Sequence, residues 1–268
     1  MHSRTGCVRC LTRMPADAVD ILGCRLDAID AREATARILA FARDPAAHAQ
    51  VVTLGTEMVV YAQNDERFRR VVNACALSLC DTVGLLAVAR KRGAELDERV
   101  TGVELLDDVC AAAARERLPV YFFGGAAGVA AGAAAALASR HPGLPVAGTR
   151  SGFFTDAESG RIAESIRTSG ARVLFAGLGS PRQEFWLAEH LDATGCGAGI
   201  GVGGSFDVIA GRVRRAPVAW RRANAEWRYR LVSEPARWRR QLALPRFVWL
   251  VGLESAGLRH RKGTSEPT

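Results

Sequence analysis

Asp81 is the residue of this chain best suited by type and position to act as a base. It comes directly after the apolar run 76–80, at the point where a buried strand would end. A carboxylate held half-buried in such a place would have its pKa raised toward the working range of a general base. The alternative is that Asp81 caps the N-terminus of the next helix, a position for which aspartate is equally suited.

Two further polar sites lie at or just after the ends of apolar runs. Thr53 lies near the end of the run 50–54, where its hydroxyl could serve a ligand or satisfy the backbone. In the sequence GLGSPRQE, Gly177 and Gly179 are followed by a proline, an arginine, Gln183 and a glutamate. A capped turn between a strand and a helix explains the glycines and the proline, but not the three polar residues. We therefore expect this segment to line a ligand site.

The segment 196–217, CGAGIGVGGSFDVIAGRVRRAP, has the pattern of an anion site. The small-residue run before Gly203 and Gly204 is predicted to be a strand, and a helix is predicted to start after Ser205 as its N-cap. A strand that passes into a helix through glycines leaves backbone N–H groups and the positive helix end free, which suits a phosphate. Asp207 in the first turn could bind a ligand hydroxyl or imide, and three arginines follow.

Motifs of other enzyme classes are incomplete or absent. Gly124, Gly125 and Gly128 make half of a dinucleotide fingerprint, but the next strand ends in Thr149 and Arg150, with no acidic residue for an adenosine ribose. An NAD(P)-dependent Rossmann oxidoreductase stays as an alternative. The lysines follow no glycine loop, which excludes a P-loop. Because D-x-D does not occur and the histidines have no metal-ligand spacing, we expect neither a metal nor a cofactor.

The elements that would position these residues alternate between strand and helix. Predicted strands cover residues 21–26, 50–54, 76–80, 119–123, 145–148, 172–176 and 198–202, and predicted helices lie between them. Such alternation is typical of an α/β fold with a mostly parallel, Rossmann-like sheet covered by helices on both faces. Ligands bind at the carboxyl ends of the strands in these sheets, so the polar and glycine-rich segments should meet at one edge.

Positive charge is concentrated toward the C-terminus. Residues 212–262 contain 14 Lys or Arg and three Asp or Glu, whereas the 268-residue chain has a net charge of only +8, so the rest is net negative. Four of the five tryptophans lie in the same region. We expect a flexible N-terminus (1–18), an α/β catalytic body (19–216), a basic amphipathic helical appendage (217–255) and a flexible tail (256–268).

The predicted appendage indicates an anionic partner. Arg and Trp interleaved with Leu and Phe suit the headgroup layer of an anionic membrane, where each basic side chain contributes about 1 kcal/mol. A basic nucleic-acid-binding protein is the competing class, but it leaves the polar strand ends without a purpose, so we expect no nucleic-acid partner. No run reaches the ~20 apolar residues of a membrane span. The seven cysteines suit buried, reduced thiols of a cytoplasmic protein.

Five segments together resemble the WecG/TagA/CpsF glycosyltransferases (glycosyltransferase family 26). They are TEMVVYAQND, RVTGVELL, FAGLGSPRQE, GVGGSFDVIAGRVRRAP and EWRYRLVSEPARWRRQL, in order within residues 21–253. The resemblance implies a bacterial, inverting, metal-independent transferase of cell-surface polysaccharide synthesis, such as that of teichoic acid or exopolysaccharide. It would move N-acetylmannosamine, its uronate or a related hexose from a UDP donor to a polyprenyl-diphosphate-linked saccharide. It would act as a peripheral protein on the inner face of the cell membrane, with its oligomeric state left open.

The resemblance also assigns roles to the polar residues. Asp81 corresponds to the proposed catalytic base, with Thr53 and Gln183 as pocket residues. Two positions depart from the family pattern, which usually has Asn where this chain has Gly55 and Gly where it has Thr82. The missing Asn amide removes a hydrogen-bonding group near the sugar, so the departures bear on the identity of the donor.

The remaining implied contacts concern the nucleotide. Gly152, Phe153 and Asp207 fall where the pocket of the family holds the uridine. Three arginines of the C-terminal segment match those expected to cover the diphosphate, namely Arg230, Arg237 and Arg240.

Overall fold

Six of eight strands form one parallel sheet in a computed structural model that describes residues 18–213 and 243–258. The strands are β1 (Ala18–Ile21), β2 (Cys24–Asp27), β3 (Ala49–Leu54), β4 (Leu77–Cys80), β5 (Val120–Gly124), β6 (Val146–Arg150), β7 (Val173–Gly177) and β8 (Ala198–Gly201). The sheet order is β4-β3-β8-β7-β5-β6, and every neighbouring pair is parallel. The predicted α/β fold is confirmed.

Helices connect the strands at the predicted places. They are α1 (Ala31–Arg43), α2 (Thr56–Ala62), α3 (Glu66–Ala74), α4 (Val83–Lys91), α5 (Gly102–Glu116), α6 (Val129–Arg140), α7 (Ser159–Thr168), α8 (Arg182–His190), α9 (Ser205–Ile209) and α10 (Ala243–Ser255). Helix α3 is absent from the sequence prediction, since only Phe68 and Val72 of its nine residues are buried and its apolar pattern is short. The helix predicted after Ser205 begins at Ser205 itself, with Gly204 as its N-cap.

Both faces of the sheet are covered by helices. On one face, α1, α5, α6 and α9 pack on a core that includes Phe122 and Phe175. On the other, α7 and α8 pack on Phe123, and α2, α3, α4 and α10 pack near Val52. Because successive strand residues enter opposite cores, the strands are apolar along their whole length. This is why the sequence reveals them as uninterrupted apolar runs.

A hairpin of β1 and β2 lies beside the edge strand β4. The backbone N–H of Ser78 on β4 donates to the carboxylate of Asp27 on β2 (2.7 Å), and Arg25 pairs with that carboxylate. Asp27 is buried, and burial raises the pKa of its carboxyl group. Backbone groups on the outer side of an edge strand can pair with other chains when they lack a partner. The carboxylate of Asp27 supplies such a partner for the backbone N–H of Ser78.

Helix α10 lies within the segment predicted to be the basic appendage. Phe247 and Leu250 are buried in the core beneath α2 and α4, whereas Val248 and Trp249 are 62% and 61% exposed. Arg246 donates to the side chain of Asn64 (3.3 Å). One face of the helix is thus anchored to the body and another is apolar and open. Among the described residues, no helix has the length and apolar character that crossing a bilayer requires.

The described cysteines agree with the prediction of buried thiols. Cys24, Cys75, Cys80, Cys110 and Cys196 are buried and form no disulfide. Burial raises the pKa of the thiols of Cys24 and Cys80 to about 12, and the negative charge of Asp81 adds to the effect at Cys80. These thiols therefore stay protonated at neutral pH, which makes them poor nucleophiles.

Candidate active site

Asp81 directly follows β4, and its carboxylate faces the N-terminus of α5. Oδ1 accepts a hydrogen bond from the backbone N–H of Gly102, the first residue of that helix (3.2 Å). The backbone N–H of Asp81 donates to the carbonyl of Leu54 at the end of β3 (3.0 Å). The N-cap of α4 is Thr82, so the alternative that Asp81 caps the next helix is wrong. A helix N-terminus carries partial positive charge, which suits a carboxylate.

The start of α5 is held firmly beside Asp81. Thr101 caps the helix, because its hydroxyl accepts from the N–H of Glu104 (3.3 Å) and donates to the carboxylate of the same residue (2.7 Å). The N–H of Val100 donates to the carbonyl of Cys80 (2.7 Å). These bonds give the conspicuous sequence RVTGVELL a structural role. They present the Gly102 N–H to Asp81, a contact that the sequence did not reveal.

Thr53 lies close to the same helix start. Its hydroxyl donates to the carbonyl of Gly201 on β8 (3.0 Å), so the interpretation that it satisfies the backbone is confirmed. A Cβ atom added at Gly102 would lie 3.7 Å from Thr53 Oγ1 and 3.0 Å from Ser205 Oγ. Asp81, Thr53 and Ser205 therefore surround Gly102, where a larger residue would displace the hydroxyl of Ser205.

Gln183 joins α8 to the turn after β8. Its Oε1 accepts from the N–H of Gly203 (3.0 Å), and its Nε2 donates to Oε1 of Glu184 (2.7 Å). Both side chains are buried, Gln183 at 4% exposure and Glu184 at 1%. Burial is the largest influence on the carboxyl group of Glu184 and raises its pKa. The sequence singled out Gln183 but assigned no role to Glu184.

Glycines line the part of this sheet edge where β5 and β7 end. The N–H of Gly125, just after β5, donates to the carbonyl of Gly177 at the end of β7 (2.9 Å). A Cβ at Gly124 would lie only 2.3 Å from that carbonyl oxygen, and Gly124 has φ +142°. No other residue type fits there, because the approach is too close and the backbone angle is one that L-residues avoid. The glycines of the half-fingerprint thus pack two strand ends together.

The end of β7, at Gly177, lies against the turn after β8, at Gly203. A Cβ at Gly177 would lie 3.0 Å from the carbonyl oxygen of Gly203 and 2.7 Å from the ring of Phe206. The ends of β7 and β8 are thereby in contact, and one edge of the sheet carries the groups from both sides. The prediction that the glycine-rich and polar segments meet at a common edge is confirmed for the described strands.

Gly152 and Phe153 follow β6 at the far end of this edge. The N–H of Gly152 donates to the carbonyl of Gly125 (2.8 Å), and the ring of Phe153 is 75% exposed. Arg182 holds the segment in place, because it donates to the carbonyls of Gly152 (3.1 Å) and Phe154 (3.0 Å) and lies over the Phe154 ring. The sequence placed Arg182 in a polar cluster but did not reveal these contacts.

The other predicted ligand residues lie on the connecting loops. Gly179 has φ +79°, and its carbonyl accepts from the N–H of Gln183 at the start of α8 (3.0 Å). Asp207 is half-buried in the five-residue helix α9. Arg212, which follows α9, donates to the carbonyl of Ala127 in the loop before α6 (3.2 Å). The loops after β5, β7 and β8 are therefore linked to one another.

Helix α10 lies beside the first turn of α4, the helix that follows Asp81. A Cβ at Gly84, in the first turn of α4, would lie 3.4 Å from Leu244 and 3.7 Å from Phe247 of α10. The three arginines implied to cover the diphosphate lie outside the described residues, at positions 230, 237 and 240. Within the described ranges, no cluster of three or more His, Cys, Asp or Glu side chains could hold a metal ion.

Comparisons with known proteins identify the family of the chain. The family described as "Glycosyl transferase WecG/TagA/CpsF family" matches residues 19–261. One curated relative, from Bacillus spizizenii, is the N-acetylglucosaminyldiphosphoundecaprenol N-acetyl-beta-D-mannosaminyltransferase. It is 32% identical over 217 residues, which cover 81% of this chain and 81% of the relative. These matches decide against the two alternatives, an NAD(P)-dependent oxidoreductase and a nucleic-acid-binding protein. The chain belongs to the WecG/TagA/CpsF family of glycosyltransferases.

Proposed function

We propose that this glycosyltransferase moves N-acetylmannosamine from a UDP donor to N-acetylglucosamine linked to a polyprenyl diphosphate, with inversion at the anomeric carbon. The observation that carries the proposal is the placement of Asp81 at the carboxyl edge of the sheet, together with the activity named for the relative. The product would be a lipid-linked disaccharide for a cell-surface polymer.

Asp81 acts as the general base. Its carboxylate takes the proton of the acceptor hydroxyl while the hydroxyl oxygen forms a bond to the anomeric carbon of the donor. The bond from that carbon to the diphosphate oxygen breaks at the same time, and UDP leaves with the electron pair. Attack on the face opposite UDP inverts the anomeric centre. A base in this position contributes about 10²–10⁴ to the rate.

The donor lies along the glycine-lined part of the edge. A Cβ atom added at Gly179 or Gly203 would meet nothing within 4 Å, so a ligand can approach the backbone there. The diphosphate binds near Gly179, Gly203 and Gly204, and the uridine lies against Gly152 and Phe153. The exposed ring of Phe153 supports this assignment, because an aromatic face can stack on a base.

Charge on the leaving diphosphate has to be balanced by fixed groups. Backbone N–H groups and arginines are suitable, since they stabilise developing negative charge without reorganising. We assign this role to Arg230, Arg237 and Arg240 from the family resemblance, and assign Asp207 to the uridine. The lack of any D-x-D sequence supports a reaction in which no metal bridges the diphosphate.

The proposed sugar pocket contains both positions at which this chain departs from the family pattern, Gly55 and Thr82. Gly55 is the N-cap of α2, and a Cβ added there would lie 3.5 Å from the methyl group of Thr82. The two departures from the family pattern are therefore neighbours, and the threonine methyl occupies space beside the missing side chain. We infer that the pair makes this part of the pocket less polar, which favours an N-acetyl sugar over its uronate.

The acceptor is a lipid, so the enzyme works as a peripheral protein at the inner face of the membrane. The exposed side chains of Val248 and Trp249 on α10 support docking there, and the basic segment 212–262 adds attraction to anionic headgroups. Since α10 also contacts the first turn of α4, docking would bring the Asp81 loop toward the lipid surface.

A donor screen tests the proposal. The full chain is incubated with a short-chain polyprenyl-diphosphate N-acetylglucosamine and UDP-N-acetylmannosamine, UDP-N-acetylmannosaminuronate, UDP-N-acetylglucosamine or UDP-glucose, and UDP release is followed. We expect release with UDP-N-acetylmannosamine only when the acceptor is present, and a β-linked product by NMR. Release with the uronate alone would correct the donor, an α-linked product would refute inversion, and no release with any UDP-sugar would refute the function.

A further inference from the structure

Glu184 is a buried carboxyl group that the proposed reaction does not use. It lies in the first turn of α8 with a relative exposure of 1%. Its Oε2 is also buried, and it has no hydrogen-bond partner among the residues that the structure describes. Glutamate is almost never buried to this extent unless it is paired or neutral. Its position beside the candidate active site therefore calls for a physical reason.

The hydrogen bonds of its neighbour supply that reason. The backbone N–H of Gly203 is a donor only, so the Gln183 amide has to turn its oxygen toward it, and the observed distance is 3.0 Å. The amide nitrogen then faces the other way, where Glu184 Oε1 accepts from it at 2.7 Å. A reversed amide would bring two donors together at Gly203. Glu184 thus completes the only orientation that satisfies both ends of the amide.

Packing leaves this pair little freedom. A Cβ added at Gly201 of β8 would lie 2.7 Å from the Gln183 amide nitrogen and 3.3 Å from Glu184 Oε1, so the two side chains rest directly on the strand backbone. The side chain of Gln50 on β3 donates to the backbone carbonyl of Glu184 (3.0 Å), which ties the start of α8 to the sheet. A side chain at position 201 would therefore collide with this pair.

The surroundings favour the neutral acid. Burial raises the pKa of Glu184, and the negative charge of Glu57 on α2 raises it further. Gln183, Ser180 and the backbone act in the opposite direction, but burial is the largest influence. Cys75, which follows α3, is a further titratable neighbour: burial raises the pKa of its thiol, and a negative charge on Glu184 would add to that effect. The remaining neighbours on β3 and before α8, Gln50 and Ser180, are uncharged. A neutral carboxyl group still offers its carbonyl oxygen as an acceptor.

We propose that Glu184 is a positioning residue, whose carboxyl group fixes the Gln183 amide so that it holds the Gly203 N–H and, with it, the Gly203–Gly204 turn. The inference rests on the proposed function, because this turn is where the donor diphosphate binds. It adds a residue that acts through a neighbour and does not touch substrate. Loss of the carboxyl acceptor leaves the buried amide nitrogen unpaired, which favours rotation of Gln183 and release of the turn.

The test compares Glu184→Gln, which keeps an acceptor oxygen, with Glu184→Leu, which does not. Backbone amide exchange at Gly203, read by NMR on the ¹⁵N-labelled full chain, should be slow in the wild type and in Glu184→Gln, and at least about tenfold faster in Glu184→Leu. Donor kcat/KM should follow the same order, with a loss of about tenfold or more that the Gln variant restores, mainly through KM.

Each outcome has a distinct meaning. Equal Gly203 exchange in the wild type and Glu184→Leu would overturn the proposal, and so would a kinetic loss that Glu184→Gln does not restore. If Glu184→Leu does not fold, Glu184→Met, an unbranched side chain whose sulfur is only a weak acceptor, takes its place in the same comparison. Faster Gly203 exchange than in the wild type is again the expected result, and equal exchange would overturn the proposal. If the wild type is inactive on every UDP-sugar, the proposed function is refuted. The exchange measurement needs no substrate, so it would still test whether Glu184 holds the Gly203 turn.

Discussion

Phe247 of α10 lies against Gly84, in the first turn of α4 and three residues after Asp81. A Cβ added at Gly84 would be 3.7 Å from the Phe247 ring and 2.8 Å from the methyl group of Thr56. The C-terminal helix therefore packs on a position where only glycine fits. The body of the enzyme and the segment proposed to reach the membrane share this contact, so the two are mechanically joined next to the candidate base.

Phe247→Ala should release α10 from the body. Phe247 is 1% exposed, and removal of a buried phenylalanine ring costs about 3–5 kcal/mol, which is large for the docking of one helix. Hydrogen exchange followed by mass spectrometry should show faster exchange over residues 243–255, with the sheet unchanged. Val248→Ala is the matched control, since Val248 is 62% exposed. Unchanged exchange in Phe247→Ala would contradict the packing described.

Asp81→Asn should reduce kcat by about 10²–10⁴ and leave UDP binding within a factor of about three. The amide oxygen of Asn can still accept from the N–H of Gly102, so the loop should keep its shape, but it cannot take a proton at neutral pH. Steady-state kinetics and calorimetric UDP titration measure the two effects. Asp156→Asn, at an exposed aspartate, is the control. Near-normal turnover in Asp81→Asn would remove Asp81 from the mechanism.

Replacement of Val248 and Trp249 by glutamate in the full chain should weaken membrane binding. Both side chains are exposed on α10, and glutamate replaces apolar contact with charge repulsion at an anionic surface. Flotation with vesicles that contain anionic lipid measures the effect, and we expect a loss of at least about tenfold in the partition coefficient. Val146→Glu, at a partly exposed position on β6, should bind like the wild type. Equal flotation of all three proteins would argue against docking through α10.

Gly177→Ala should destabilise the protein by about 1–3 kcal/mol. The new methyl group would lie 2.7 Å from the Phe206 ring and 3.0 Å from the carbonyl oxygen of Gly203, so the ends of β7 and β8 have to separate. Urea unfolding measures the change. In Gly160→Ala the methyl group meets nothing within 4 Å on α7, and alanine favours a helix over glycine by about 1 kcal/mol. The two substitutions should therefore change stability in opposite directions.

Stability should fall as the pH rises above the ordinary glutamate pKa, because of Glu184. Its native pKa is raised by burial, so the folded chain binds this proton more tightly than the unfolded chain does. The stabilising contribution is complete below the ordinary glutamate pKa of 4.5 and is lost as the pH rises through the raised native value. Glu184→Gln should therefore flatten the decline in unfolding free energy that begins as the pH rises above 4.5.

The exposed Glu189, on the same helix, supplies the control for that titration. Glu189→Gln should keep the wild-type slope of unfolding free energy against pH. An equal slope in the wild type and Glu184→Gln would mean that the buried carboxyl does not titrate in this range.

The sheet could be predicted from sequence because its strands are buried on both faces. Phe122 and Phe123 enter different cores, so the run that contains them is apolar throughout, and glycines mark its end. Helix α3 was missed because it is only nine residues long and buries two of them, too few for its apolar pattern to repeat. The alternation of strands and helices then sufficed to place Asp81, Thr53 and Gln183 at one edge.

The contacts of these residues could not be predicted from sequence. The bond from Gly102 to Asp81 depends on where α5 begins relative to β4, and the bond from Gly203 to Gln183 depends on β8 lying beside β7. Neither follows from local pattern. Glu184 was overlooked because its residue type predicts exposure, and only packing against the backbone of β8 reveals that it is buried.

The place of β8 in the sheet has a consequence for biosynthesis. It is the last of the six strands to leave the ribosome, yet it lies in the middle of the sheet. It pairs with β3 on one side and with β7 on the other, and so joins the pair β3 and β4 to the set β5, β6 and β7. A nascent chain that ends before residue 198 can form both halves but cannot join them. Non-local parallel pairing of this kind is slow to form. Closure of the sheet must therefore follow translation of nearly three-quarters of the chain.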